Sequence, residues 1–191
     1  LLEMSQAKYA EAEELFLRAL GFRTSFFENL REESEQNILT SLGNNYFRWG
    51  MELLLKGDSM SADKLFTLAG THFERGRRGG IPNPHAYHAH AYMYKKRAER
   101  EPDAVQRLEY LSRSLKIISE ARYNLSSDLL LPLHILEMDV YHALGYEKEI
   151  SNMIDDLSKK TQTGLGYFLY ASIIRRDAID KTGILKEKTL E

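Results

Sequence analysis

The run Tyr46-Phe-Arg-Trp-Gly50-Met-Glu-Leu-Leu-Leu-Lys-Gly57-Asp-Ser-Met-Ser-Ala62-Asp-Lys-Leu-Phe66-Thr-Leu-Ala69 decides the fold. Tyr46, Trp49, Gly50 and Leu53 recur at helical spacing, and so do Ala62, Phe66 and Ala69. The spacing predicts two amphipathic helices, each of about a dozen residues, hinged near Gly57 and Asp58. Gly50 and Ala62 are small enough to let the two backbones approach closely. Trp49, Leu53 and Phe66 then fill the space around that contact.

Working outward, the same pattern recurs. Tyr9, Ala12, Phe16, Ala19 and Leu20 are spaced as a second helix of such a pair, its first helix being missing or reduced to residues 1–5. No proline interrupts residues 21–57, and Phe26, Leu30, Ile38, Leu42, Tyr46, Trp49 and Leu53 predict one long helix from about Ser25 to Lys56, with Gly43 as a point of bending. Its first half, around residues 31–36, is expected to stand partly in solvent. Asp58 or Ser59 can cap the next helix, which runs to about Arg75 and stops at Gly76. A glycine- and proline-rich loop follows, with Asn83 as cap and Pro84 at the first position of a helix to about Arg100. Pro102 restarts the chain as a helix to about Arg122, with Val105, Leu108, Leu111, Leu115 and Ile118 expected inward. A break at residues 124–128 precedes a helix ending at Gly145, in which Pro132 either sits in the first turn or makes a kink. Glu147 to about Lys160 offers Ile150, Ile154 and Leu157. Residues 164–180 form another helix, with Tyr167, Tyr170, Ala171 and Ile174 in signature positions, and its partner begins after Gly183.

These residues resemble the tetratricopeptide repeat. That motif has a bulky residue, leucine, glycine and tyrosine on its first helix, and alanine, phenylalanine and alanine on its second. Trp49 takes the leucine position and Leu53 the tyrosine position. Ala12, Ala62, Arg107 and Ile150 line up as second-helix positions 50, 45 and 43 residues apart, against about 34 in the standard repeat. The third unit can also be read three residues earlier, on Ala104. The resemblance implies an all-α, right-handed superhelix of antiparallel helix pairs, a single domain over residues 1–191 with about eight or nine helices, longer than standard. It also implies a concave face lined by first helices. Its partner-binding positions fall on Asn44, Phe47 and Met51, with Leu54 and Leu55, on Tyr92 and Lys96, and on Asp139, with Ile135 and His142. The lysine and asparagine with which some members clamp a carboxylate tail are replaced here by Phe47 and Met51. An amphipathic helix or apolar peptide is therefore the expected ligand.

Composition bounds the rest. The 191 residues suffice for one sizeable core or a short solenoid, and 43% hydrophobic with 28% charged residues describes a folded chain. A net charge of -2 gives no overall attraction to nucleic acid or anionic membrane. The absence of cysteine excludes disulfides, thiolate metal sites and cysteine nucleophiles, and leans toward a cytoplasmic location. No apolar run reaches the roughly 18 residues of a membrane span. The chain opens on Leu1 inside a helical pattern, as a segment of a longer or processed protein would.

Local clusters add little chemistry. His85 and His88 share a helix face but His90 points elsewhere, a poor zinc geometry, so no metal or other cofactor is expected. Arg75, Arg77 and Arg78 are separated from Lys95, Lys96, Arg97 and Arg100 by about 24 Å of helix at 1.5 Å per residue, and read as solvated helix ends. No phosphate loop or nucleophile motif is present, so no enzymatic activity is expected. The expected function is a non-catalytic scaffold for a protein or peptide partner. The alternative is a sensor module attached to an enzyme or ATPase domain, and nucleic-acid binding through the arginine loop ranks third.

Overall fold

A computed structural model describes residues 2–21, 28–78, 83–126, 130–161 and 164–175. The described residues are helical, with no strand among them. Seven helices, α1 (Leu2–Gly21), α2 (Glu28–Leu55), α3 (Ser59–Arg77), α4 (Pro84–Arg100), α5 (Ala104–Asn124), α6 (Leu131–Leu144) and α7 (Glu147–Thr161), are followed by α8 over 165–175. They fall into two compact units, Leu1–Leu130 and Leu131–Glu191.

In the first unit each helix packs on the next, and α2 also touches α4. The helices begin where the sequence supplies oxygen acceptors for orphan amides. Asp58 accepts from the amide of Ser61, Asn83 from those of His85 and Ala86, and Asp103 from that of Gln106. Between α2 and α3 the chain turns at Gly57, whose φ of 84° suits glycine. The amide of Asp58 bonds back to Leu53 O at 3.0 Å and that of Gly57 to Leu54 O at 3.1 Å, closing the helix end. Gly145, with φ 73°, ends α6 in the same way.

Glycine under phenylalanine sets the α2–α3 distance. A Cβ on Gly50 would lie 2.8 Å from Phe66 Cε1 and 3.2 Å from Ala62 O, and one on Gly43 would lie 2.6 Å from the Phe73 ring. Both pairs are seven residues apart on both helices, so one contact repeats two turns further from the hinge. Gly43 is thus a seat for Phe73, sharing the close-approach role expected of Gly50 and Ala62. Gly76 does not stop α3 either. It lies inside the helix, buried, where a Cβ would meet Thr40 Oγ1 at 3.1 Å. Gln36, expected near solvent, is buried at the same end.

On the other face of α2, Tyr9 of α1 stacks on Trp49 at 5.9 Å, its carbonyl accepts from Asn45 Nδ2 at 3.0 Å, and Tyr46 donates its hydroxyl to Glu13 at 2.5 Å.

Helix α5 is rotated from its expected phase. Leu111 and Ile118 are buried, but so are Tyr110, Ser114, Ile117 and Ala121, whereas Val105 is 76% exposed and Leu108 also faces out. Ser114 lets α5 approach α4, donating to Ala91 O at 2.9 Å. At the hinge end the space is filled by Arg97, whose guanidinium lies 4.8 Å from the Phe66 centroid and 4.3 Å from that of Tyr110. Arg107 and Ala104, the alternative small-residue positions, are both exposed.

In the second unit, Pro132 occupies the first turn of α6, and Ile150, Ile154 and Leu157 of α7 form a core with Met138 and Ile173. On α8 the inward residues are Gly166 and Ile173, while Tyr167, Ala171 and Ile174 are exposed and Tyr170 packs at the edge. A Cβ on Gly166 would lie 2.5 Å from Ile154 O, so glycine, and not the bulky signature residues, brings α8 onto α7. The helix expected after Gly183 lies outside the described residues.

Alanine at Gly43 or Gly50 should destabilise the chain by about 1–3 kcal/mol through overpacking, despite alanine's better helix propensity. Urea unfolding of each variant measures this, and a gain in stability at either position would refute the close approach.

Candidate functional site

The residues expected to bind a partner are partly gathered. Asn44, Phe47 and Met51 lie three and four residues apart on α2, and His88, Tyr92 and Lys96 four apart on α4, the helix that α2 touches. Phe47 is 8% exposed and sits between Phe66 and Tyr92, each at 6.2 Å and the latter at right angles, so it forms a floor and offers little surface itself. Asn44, Met51, Tyr92 and Lys96 are half-buried. Tyr92 is stacked on His88 at 6.0 Å, and Lys96 lies 5.6 Å from its ring centre while pairing with Glu99 at 2.6 Å. Asp139 is buried on α6, in the second unit.

A second site was not foreseen. Helices α3, α4 and α5 enclose a cleft of about 490 Å³. Arg77 and Arg78 line it from α3, Tyr87, His90 and Tyr94 from α4, and Arg113, Lys116, Glu120 and Asn124 from α5. The polar α5 contributors recur every three or four residues, a polar face flanking the buried one. That face is visible in the sequence; that it meets the arginines at the end of α3 is not.

Three of the expected solvated cations turn out to be held in place. Arg77 donates to Glu120 Oε2 at 2.5 Å, lies 5.2 Å over Tyr87, and has a side chain only 10% exposed. Arg97 donates to Asp63 Oδ1 and to the Tyr110 hydroxyl, each at 2.7 Å. Lys95 is buried and paired with Glu99. Arg75, Arg78 and Arg100 do face solvent.

Tyr87 accepts a hydrogen bond from Asn124 Nδ2 at 3.0 Å, which fixes the far wall of the cleft. At its floor His90 is stacked on Tyr94 at 5.4 Å and tilted against Phe73 at 5.6 Å. Neither ring nitrogen has a hydrogen-bond partner. Burial, helped by the charge of Arg77, holds the His90 pKa down to about 3, so the ring is neutral near pH 7. Arg113 lies 5.6 Å over Tyr94 and pairs with Glu109 of its own helix, as Arg78 pairs with Glu74. Lys116 makes no ion pair with the described residues. The cleft therefore offers cationic donors at its rim and a neutral imidazole within. Among the described residues no group of three histidines or acids converges as a metal site, and no helix is long and apolar enough to cross a membrane.

No protein-family model, curated protein or solved structure matches the chain.

His90 sets an acid sensitivity. Below about pH 6.5 the unfolded chain takes up a proton that the folded ring refuses until about pH 3, so stability present above 6.5 is lost as pH falls. Between pH 8 and pH 5 this one group should cost about 2 kcal/mol. Urea midpoints of the parent and His90→Phe across that range should diverge accordingly; parallel curves would contradict the buried neutral ring. His72 and His88, also pushed down by burial, remain in both proteins and cancel in the comparison.

Proposed function

We propose that the chain is a non-catalytic interaction module, a tetratricopeptide-like stack of helix pairs in a right-handed superhelix, that binds a protein segment across α2 and α4. The observation that carries the reading is the shared α2–α4 face. Met51 and Leu54 are half-buried against the core, Leu55 is exposed, and Tyr92 packs at right angles on Phe47 beside them. An apolar strip on two adjoining first helices, with Lys96 at its margin, suits an amphipathic helix carrying an acidic residue beside its apolar face. The contact of α2 with both α3 and α4 is what a stacked arrangement of helix pairs requires.

A second reading is a ligand-responsive module regulating an attached enzyme or ATPase domain. The cationic cleft favours it, because three helices of one unit build a concave site of small-molecule size.

Peptides selected from a displayed library against the chain should lose at least tenfold in affinity on Leu55→Asp with Lys96→Glu, while the melting temperature changes little. Phe47 is unsuitable for this test, because a charge at its buried position would unfold the chain. Equal binding by the double variant refutes the α2–α4 assignment.

A further inference from the structure

The cleft between α3, α4 and α5 carries an inference independent of the α2–α4 face. We infer that it is a binding site for a small organic phosphate, with the phosphate held by Arg78, Arg113 and Lys116 and the organic portion reaching His90.

Size is the first argument. A volume of about 490 Å³ lies within the roughly 300–1,000 Å³ of small-molecule sites and is far more than a bare phosphate fills.

Charge is the second. Arg77 is committed, clamped between Glu120 and the Tyr87 ring, and shapes the wall. Arg78 and Arg113 each pair with a carboxylate one turn away on their own helix, both members of each pair being substantially exposed, and Arg113 is also bonded to Tyr94, over whose ring it lies. Such pairs contribute little, so both guanidinium groups can turn to a ligand at small cost. Lys116, exposed and without an ion pair among the described residues, adds a third cation to a lining that also holds the carboxylates of Glu74 and Glu120. Two guanidinium forks and an ammonium from two helices provide both the geometry and the charge that a phosphate takes.

His90 is the third, and it selects the organic portion. The residue is 5% exposed and lines the cleft, and its two ring nitrogens are buried without partners. A buried polar group left unpaired is destabilising. A neutral imidazole offers one donor and one acceptor, which match a hydroxyl or ring nitrogen on the ligand and add nothing to the binding of phosphate alone.

Calorimetry on the whole chain with ribose 5-phosphate, adenosine monophosphate, inorganic phosphate and a phosphoserine peptide tests this. At least one of the two organic phosphates should bind tenfold or more tightly than inorganic phosphate. Lys116→Glu, at an exposed position and with an unchanged circular dichroism spectrum, should weaken it at least tenfold. His90→Phe should erase the preference over inorganic phosphate while leaving inorganic phosphate binding within about twofold. The inference is overturned if neither organic phosphate is preferred, if Lys116→Glu binds as the parent does, or if the phosphoserine peptide binds most tightly, which would assign the cleft to a protein partner. Should His90→Phe fail to fold, the ligand ranking and the Lys116 variant still decide.

Discussion

The first unit depends on phenylalanine rings lying on glycines across the α2–α3 interface. Phe66 on Gly50 and Phe73 on Gly43 repeat one contact two turns apart, and Gly76 continues it against Thr40. Each seat removes a side chain from one helix so that a ring on the other can fill the space down to the backbone. Gly57 turns the chain and Asp58 caps α3, fixing the register in which the rings meet their glycines. A shift of one residue along either helix would bring Phe66 against Trp49 or Met51 in place of hydrogen, which the interface has no room to accept.

Arginine does for the next layer what glycine does for this one. Arg97 fills the α3–α4–α5 junction at its hinge end between Phe66 and Tyr110, and Arg77 fills the opposite end between Tyr87 and Glu120. Each guanidinium has an aromatic face to lie on and a carboxylate to pair with, so its charge is satisfied where an aliphatic chain would leave the polar groups around it unpaired. Helix α5 lays Tyr110 against Arg97 and turns Val105 and Leu108 outward.

That substitution also marks the limit of what hydrophobic spacing conveys. Helices with an oxygen cap, a terminal glycine or a proline at the first turn were readable to within a residue or two, as α4 and α6 show. The inward face was readable where large apolar residues dominate, as on α7. It was misread on α5 and α8, where Ser114, Ala121 and Gly166 lie inward because closeness, not hydrophobicity, decides the contact. Of the expected binding residues, Phe47 and Tyr92 do meet, but as packed rings. The cleft was illegible because its cations come from helices whose pairing is set by tertiary packing. Arg77 and Arg78 looked like a helix end, and no spacing along the chain ties Arg113 and Lys116 to them.

Helix α4 presents different faces to the two candidate sites. Tyr92 and Lys96 lie on the side of α2, and Tyr87, His90 and Tyr94 on the side of α3 and α5. The two sides lead to the two phenylalanines seated on glycines in the α2–α3 interface, Phe47 meeting Phe66 and His90 meeting Phe73. Packed rings in a chain of this kind transmit position more readily than they transmit change, because each is held by its neighbours and a second arrangement would need all of them to move together. The floor of the cleft is consequently set by the fold before any ligand arrives. His90 stays where its stacking partners hold it, whether or not its nitrogens are satisfied, and the stability it forgoes is the cost of keeping a polar group ready in an aromatic core.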